Sequence, residues 1–409
     1  MDRLKWRTVF ALLLIGATAL GSAGTAAQEQ VTITFATWAF PGPLLDAANA
    51  AARAFEELHP GVKVELLSVP CCRADTTEKY IVQIAAGTAP DVMEIPFTEL
   101  GSMAESGSLL PLDSLIERDR DAVDPEDIFP PAWDAVTYGG RRYGLPVDLS
   151  VQWMAFRPDV FERAGLADPH ELHRAGDWTW ETLREAAKKL TARHESGILT
   201  QAGFIIQYSE LLGQPWLYQT GSTPFLEDLS RSNLTDPRVI EALDFLRTIA
   251  VEDQALFDAW SSTAADPKNG TFGVWPQWLS IPYYFQGSPF RVDIVPYVRG
   301  PVTDVTTAQI HSISIWSGTK HPEEAWEFVK FITGEGHRGH VAAGIPPVRR
   351  SLFPFFRGRV QDELGVGGLE FFDADVARMR VFQVTPEWAD VERAVYLGLD
   401  PVWRNEADL

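Results

Sequence analysis

Hydrophobic and polar residues alternate strictly near the beginning of the chain's first periodic region. Val31, Ile33 and Phe35 are separated by threonines, and this period of two predicts a β-strand. From Pro43 onward the apolar residues are instead spaced four and three apart, as on one face of an α-helix, until Pro60 interrupts the pattern. The first periodic region therefore predicts a strand followed by a helix.

The same alternation of elements continues through the next segments. Apolar residues alternate over 62–66, a helical pattern covers 76–86, and 91–95 has the length and composition of a short third strand. A βαβαβ order predicts a parallel sheet with right-handed crossovers. Ligands of such sheets bind beyond the carboxyl ends of the strands. Trp38 and Glu94 lie at two such ends, so we expect them to face one crevice.

The rest of the chain continues as a mixture of both element types. Thr179 can cap a helix that extends to about Ala192, and Asp236 precedes a second helix that begins with proline. The periodicity predicts further strands over 291–298 and 310–316. The fold class that these elements predict is α/β.

The N-terminal segment has the pattern of a secretory signal peptide. Arg3, Lys5 and Arg7 precede an apolar run over 9–20, and small residues follow it. The run is shorter than the ~20 residues that a permanent transmembrane helix requires. We therefore predict that residues 1–27 are removed on export, which places the mature protein in the periplasm or outside the cell, associated with the cell surface.

The amino-acid composition disfavours some classes of binding partner and excludes some kinds of cysteine site. The chain has 409 residues, 45% of them hydrophobic, which is typical of a globular protein of two or three domains at ~150 residues each. Its net charge of −21 disfavours nucleic acid and anionic membranes as partners. The only cysteines, Cys71 and Cys72, are adjacent and cannot supply a disulfide framework or a four-ligand zinc site. They can form a vicinal disulfide or remain free thiols.

Sequence motifs of the common enzyme classes are absent. The Rossmann glycine fingerprint, the P-loop, the zinc-protease helix motif and the G-x-S-x-G elbow do not occur. His170 and His173 are three residues apart but have no cysteine nearby, so a solvated turn is favoured over a metal site. We expect a protein that is not an enzyme and that needs no cofactor or metal.

Tryptophan is abundant, with 14 residues. An indole covers the C–H face of a sugar ring while carboxylates and amides bond its hydroxyls, so tryptophans in loops are candidates for carbohydrate binding. Packing in the core is the alternative for each of them, and it is preferred for Trp180, Trp316 and Trp326, which lie within periodic elements. The tryptophans close to prolines are Trp216, Trp275, Trp278 and Trp388.

Four segments occur in a characteristic order along the chain. They are AAGTAPDV at 85–92, YGLP followed by Trp153 and FERAGL within 143–166, NGTFGVWPQW at 269–278, and 314–333 followed by GIPP at 344–347. Together they resemble the extracellular solute-binding proteins of bacterial ABC importers, in the branch that carries sugars and oligosaccharides.

The resemblance implies a two-lobe periplasmic-binding-protein fold whose α/β lobes close on a ligand about a hinge. It places the three crossovers between the lobes near Val147, Val295 and Phe331. The N-terminal lobe is then expected to comprise 28–147 and 296–330, and the C-terminal lobe 148–295 and 331–409.

The resemblance also implies a ligand site between the lobes. Glu94 and Asp148 are expected to accept hydrogen bonds from hydroxyls, Gln219 to act as donor and acceptor, and the tryptophans to stack on sugar rings. One wall is expected to contain Trp38, Glu94 and His311, with Asp148 at the hinge. The opposite wall is expected to contain Trp216, Gln219, Trp275, Trp278 and Trp388.

A function follows from this resemblance: a monomeric, exported binding component that captures a carbohydrate and delivers it to membrane permease subunits. One alternative is a secreted glycoside hydrolase that uses Glu94 and Asp148 as its paired acids. Another is a binder of a glycerophosphate or a peptide, which needs basic residues such as Arg141 and Arg142 at its site. No nucleic-acid partner is expected.

Overall fold

The computed structural model describes most of the chain after the predicted signal peptide. The described residues are 30–38, 41–69, 74–226, 229–259, 261–279, 285, 287–363, 365–382, 384–385 and 387–409. The predicted signal peptide and the cysteines Cys71 and Cys72 lie outside this part of the chain.

The first sheet is built from the predicted βαβαβ unit and two later strands. Strand β1 pairs in parallel with both β2 and β3, which confirms the parallel arrangement expected from the sequence. The sheet order is β2-β1-β3-β14-β6, with β14 antiparallel to β3. Its strands are β1 Val31–Thr37, β2 Val62–Ser68, β3 Val92–Pro96, β6 Leu145–Pro146 and β14 His311–Ile315.

The second sheet has a mixed arrangement and a longer strand order, β10-β9-β11-β7-β13-β15, to which β8 and β12 are added. Every residue of β7 is buried, so this strand crosses the centre of its lobe. The strands are β7 Ser150–Phe156, β8 Ala192–Arg193, β9 Leu199–Ile206, β10 Leu256–Asp258, β11 Phe272–Trp278, β12 Asp293–Pro296, β13 Thr307–Gln309 and β15 Arg380–Val381.

A small hairpin, sixteen α-helices and several short 3₁₀- and π-helical segments complete the described structure. The hairpin pairs β4 Thr137–Tyr138 with β5 Arg141–Arg142, and the two glycines between them have φ angles of 55° and 76°, which suit a tight hairpin turn. The helices are α1 Pro43–Leu58, α2 Ala74–Ala85, α3 Phe97–Glu105, α4 Asp113–Arg118, α5 Arg120–Val123, α6 Pro130–Ala135, α7 Pro158–Arg163, α8 Pro169–Ala175, α9 Trp180–Leu190, α10 Trp216–Gln219, α11 Pro237–Arg247, α12 Pro322–Thr333, α13 Arg338–Ala342, α14 Phe353–Gly358, α15 Phe372–Arg378 and α16 Trp388–Trp403.

The chain first passes from one sheet to the other between β6 and β7, next to the predicted position at Val147. The second crossover lies later than predicted. Both β12 and β13 pair with β7, so the chain remains in the second sheet until Gln309 and enters the first sheet at His311. The predicted boundary at Val295 is therefore too early, because β13 as well as β12 pairs with β7.

The third crossover also lies beyond its predicted position at Phe331. Helix α13 packs against α1 of the first lobe, and Gly339 contacts Ala47 there. The chain then meets the interlobe connection, where Leu149 N donates to Pro346 O at 3.0 Å. The end of α12 is thus still part of the first lobe.

Each sheet has its own hydrophobic core. Residues on both faces of the first sheet form two clusters, and a larger cluster surrounds the second sheet. As predicted, Trp180 and Trp326 are buried in these cores, while Trp316 is half-buried against one of them. Among the described helices, none combines the length and the apolar character needed to span a bilayer.

Candidate functional site

Four predicted site residues come together where the first sheet meets the second. Trp38 directly follows β1, Glu94 lies on β3, and His311 begins β14, which is antiparallel to β3. Asp148 lies between β6 and β7, in the first connection between the lobes. The carboxyl ends of two parallel strands therefore supply Trp38 and Glu94, as the sequence predicts.

These four residues form one connected group. The Glu94 carboxylate accepts hydrogen bonds from Thr37 Oγ1 at 2.5 Å and from Trp38 N at 3.1 Å. The Trp38 and His311 rings meet edge to face with centroids 4.4 Å apart. His311 N donates to Asp148 Oδ1 at 2.8 Å, and its Nδ1 lies 2.5 Å from Asp148 Oδ2. Both oxygens of Asp148 are therefore used in fixing His311.

The electrostatics of this group raise the pKa of the histidine. Burial lowers the pKa of His311, but the carboxylates of Asp148 and Glu94 outweigh burial, so its pKa is raised overall. Burial also raises the pKa of Glu94, against the opposing effects of His311 and Thr37. An imidazolium held between two acids can donate its remaining N–H, from Nε2, to a ligand oxygen.

Three buried polar atoms of this wall have no hydrogen-bond partner among the described residues: Trp38 Nε1, Tyr80 Oη and His311 Nε2. Tyr80 lies on α2 and is 3% exposed, and its pKa is raised by burial and by the charge of Glu94. Sequence analysis missed Tyr80, because its position on a regular helical stripe does not distinguish it from a core residue. Unpaired buried donors are costly, so these atoms suit an oxygen-rich ligand.

On the other lobe, Trp278 and Trp388 both pack against the ring of Phe382. The ring centroids of Trp278 and Phe382 are 6.4 Å apart at 29°, and those of Phe382 and Trp388 are 5.4 Å apart at 41°. Trp278 Nε1 donates to Glu210 Oε2 at 3.3 Å, and the Trp388 indole hydrogen-bonds to Glu392. Two of the five residues predicted for this wall therefore form an aromatic cluster with carboxylates.

Trp216 and Trp275 occupy different places from those predicted. Both are 0% exposed. The Trp216 indole donates to Gln214 Oε1 at 2.9 Å and packs edge to face on Tyr297, while Trp275 packs on Phe272. Both belong to the core around the second sheet, and a fully enclosed indole offers no face to a ligand, which corrects the prediction for these two residues.

Gln219 is a structural residue rather than a ligand contact. Its Oε1 accepts from Trp180 Nε1 at 2.7 Å, and its Nε2 donates to the carbonyls of Val298 at 2.7 Å and Val305 at 3.0 Å. The side chain is 0% exposed, and these bonds connect α9 and α10 to the segment after β12. The predicted role in sugar binding is corrected, because the amide already uses its oxygen and both N–H groups within the lobe.

The two walls touch through a residue that sequence analysis missed. Phe97 begins α3 directly after β3, and its ring lies edge to face with Phe382 at a centroid distance of 4.7 Å. Glu99 follows in the first turn of the same helix, close enough for its charge to act on Glu392. The position of Phe97 and Glu99 just beyond the end of β3 is the signal by which the sequence could have identified them.

Burial raises the pKa of three carboxylic acids in this region. Burial raises the pKa of Glu99 and of Glu210. Burial, followed by the charges of Glu210 and Glu99, raises the pKa of Glu392 to about 8, although the hydrogen bond from Trp388 opposes the shift. The aromatic cluster is therefore surrounded by groups that accept hydrogen bonds when ionised and that favour positive charge nearby.

Sequence comparisons identify relatives along most of the chain. A family model described as bacterial extracellular solute-binding protein matches residues 41–338. A binding protein of Brucella abortus (strain 2308) is 24% identical over 415 residues, which cover 96% of this chain and 94% of that protein. An uncharacterized ABC transporter extracellular-binding protein of Pyrococcus horikoshii is also 24% identical, with 83% of this chain and 81% of the relative aligned.

Solved structures share the fold. An ABC substrate-binding protein from Listeria monocytogenes in complex with cycloalternan has a TM-score of 0.79 at 23% identity, covering 92% of this chain and 95% of that one. The GacH receptor of Streptomyces glaucescens, solved unliganded and with acarbose, has a TM-score of 0.73 at 19% identity, covering 92% and 94%. These similarities confirm the predicted two-lobe α/β fold.

Proposed function

We propose that this chain, which belongs to the family of bacterial extracellular solute-binding proteins, is the carbohydrate-binding component of an ABC importer. It captures an oligosaccharide between its lobes and presents it to membrane permease subunits. The observation that carries the proposal is a tryptophan hydrogen-bonded to a carboxylate on each wall: the main-chain N–H of Trp38 donates to Glu94 on one, and the indole N–H of Trp278 donates to Glu210 on the other.

The chemistry of a sugar fits these two walls. Indole faces cover the apolar faces of sugar rings, while carboxylates accept hydrogen bonds from hydroxyl groups. The unpartnered donors Trp38 Nε1, Tyr80 Oη and His311 Nε2 can bond sugar oxygens. The similar structures that hold cycloalternan and acarbose support a carbohydrate over other solutes.

Binding without turnover is favoured over hydrolysis. A glycosidase needs one free carboxylate as nucleophile or base and one carboxylic acid as proton donor. Asp148 has both oxygens on His311, and Glu94 accepts from Thr37 and Trp38 through Oε2, so the predicted pair lacks a second free acid. We therefore propose that the ligand leaves the cleft chemically unchanged and that no cofactor takes part.

An anionic solute fits less well, because the basic residues proposed for it lie elsewhere. Arg141 and Arg142 lie on the β4–β5 hairpin, with side chains 59% and 43% exposed and within 4.0 Å of Asp113. The carboxylates of the two walls disfavour a phosphate.

Export and transport complete the proposal. The predicted signal peptide directs the chain across the cytoplasmic membrane, and the mature protein acts as a monomer in the periplasm or at the cell surface. A ligand that contacts both lobes binds the closed state more tightly than the open one, and this difference shifts the population toward closure. The permease then recognises the closed shape.

A thermal-shift screen of the mature protein tests the function. The panel contains cycloalternan, acarbose, malto- and manno-oligosaccharides, glycerophosphodiesters and peptides, and reducing ends are assayed over hours in parallel. At ~100 times its Kd the correct ligand stabilises the fold by about 2.7 kcal/mol. A response confined to glycerophosphodiesters or peptides would overturn the carbohydrate assignment, and released reducing ends would overturn binding without chemistry.

A further inference from the structure

Three glutamates from separate parts of the chain converge beside the indoles of the second wall. Glu99 comes from the first lobe, in α3, whereas Glu210 follows β9 and Glu392 lies in α16. The charges of Glu99 and Glu210 both act on Glu392. Two of the three carboxylates also hold a tryptophan: Glu210 bonds Trp278, and Glu392 bonds Trp388.

Within the described part of the chain, none of these three glutamates forms an ion pair with lysine, arginine or histidine, and only acids contribute charge to the environment of Glu392. Other partly buried acids of the same molecule are neutralised, as Asp253 is by Arg184 and Asp119 is by Lys330. Acids that are close together and shielded from water repel one another unless a cation or a proton compensates them. The cluster is thus built without a cation from the protein.

A buried amide gives an independent indication of a ligand with hydrogen-bond donors. Gln152 lies on β7 directly opposite Trp278 on β11, and opposed residues of an antiparallel pair project from the same face of the sheet. Gln152 is 2% exposed, and its Oε1 has no hydrogen-bond partner among the described residues. A buried acceptor of this kind needs a donor. Gln152 Oε1 therefore adds a fourth acceptor beside Trp278.

We propose that the carbohydrate carries a free, protonated amine, which binds between Glu99, Glu210 and Glu392 while its ring stacks on Trp278. The ligand class is an oligosaccharide that contains a non-acetylated amino sugar. An ammonium group supplies the missing positive charge and up to three N–H donors for the carboxylates and Gln152. The neighbouring indole faces add a cation–π attraction. The inference rests on the proposed carbohydrate-binding function and refines it.

The test uses the mature chain and isothermal titration with three sets of oligosaccharides of equal length. The sets are glucosamine oligomers, their N-acetylated forms and the corresponding glucose oligomers, so that only the substituent at one carbon changes. Hydrogen bonds between charged groups are about twice as strong as neutral ones. We therefore expect the glucosamine oligomer to bind about tenfold more tightly than the N-acetylated oligomer or the glucose oligomer. This preference should shrink as salt is added.

Single variants locate the amine contact. Glu99→Gln should reduce the preference for the amine several-fold and leave binding of the neutral oligomer nearly unchanged. Glu210→Gln should reduce the same preference and also weaken the neutral oligomer, because Glu210 holds Trp278. The matched control is Glu105→Gln, an exposed glutamate on the same helix as Glu99, which should leave the preference unaltered. Both variants keep the shape of the side chain, and urea unfolding of each checks its folding, above all for Glu210→Gln, because the two Glu210 oxygens accept from Gln207 and Trp278.

The possible outcomes separate the two proposals. Equal affinity for amine and neutral oligomers, or an amine preference that survives both site variants, would overturn the inference and leave carbohydrate binding intact. Binding of none of the three sets, together with a flat sugar screen, would overturn both. An amine preference lost in Glu210→Gln and Glu99→Gln but kept in Glu105→Gln supports the inference.

Discussion

Replacing Trp278 by alanine tests whether the second wall binds a sugar ring. The indole is only partly buried, in contact with Phe382 at a centroid distance of 6.4 Å and with Glu210 at 3.3 Å. Truncating a stacking aromatic of this kind costs roughly 1 to 3 kcal/mol of binding free energy, which is about a 5- to 150-fold increase in Kd. Because the side chain faces the site rather than the core, the free energy of unfolding should change little.

Trp275→Ala is the matched control, because Trp275 lies on the same strand and is 0% exposed. Removing a fully buried tryptophan should lower the free energy of unfolding by roughly 3 to 5 kcal/mol. Titration with the best sugar from the screen measures Kd, and urea unfolding measures stability. Trp278→Phe should recover part of the affinity, since it keeps a ring face but loses the hydrogen bond to Glu210.

Two results would refute this reasoning. If Trp278→Ala lost as much stability as Trp275→Ala, Trp278 would be a core residue. If Trp278→Ala bound the sugar as tightly as the parent, the aromatic cluster would not be part of the ligand site.

Three further predictions follow from the hydrogen bonds and the pKa values. Gln219→Ala should lower the free energy of unfolding by roughly 1 to 3 kcal/mol, because it leaves the Trp180 N–H and two carbonyls unpaired. The sugar affinity of the folded fraction should not change. Tyr80→Phe should weaken sugar binding without loss of stability in urea, since the Tyr80 hydroxyl has no partner among the described residues; unchanged affinity would exclude it from the site. The pKa of Glu392 is about 8 in the folded protein and near the ordinary value of 4.5 in the unfolded chain. Between these two pH values the native state binds more protons than the unfolded state. The free energy of unfolding therefore falls as the pH rises. Urea titrations between about pH 6.5 and 8 should show this fall in the parent and a flatter profile in Glu392→Gln, while His311, whose pKa is also raised, contributes equally to both proteins. Parallel profiles would contradict the assignment.

The aromatic and acidic side chains beyond the first strands could be predicted because local rules determine their placement. A period of two, a helical stripe and a second strand define a parallel βαβ unit, and parallel strands must end at the same edge. Trp38 and Glu94 are therefore brought together by sequence order alone. The family resemblance added His311 and Asp148; in the structure His311 contacts the Trp38 ring and Asp148 hydrogen-bonds to His311, while the role of these residues in a ligand site stays a prediction.

The remaining tryptophans could not be sorted in this way. Trp216, Trp275, Trp278 and Trp388 have similar local surroundings in the sequence, with a proline nearby. What distinguishes them is burial by distant segments: Tyr297 encloses Trp216, while Trp278 is left at an edge beside Phe382.

The amino-acid sequence thus determined the class of fold, the family and the neighbourhood of Trp38 and Glu94, because strand and helix periods and short motifs are local properties. Only the tertiary structure decided the lobe crossovers and the acidic cluster. The position of the second crossover depends on how many strands pair with β7. The proton affinity of Glu392 depends on Glu99 and Glu210, which long-range packing brings within reach of its charge.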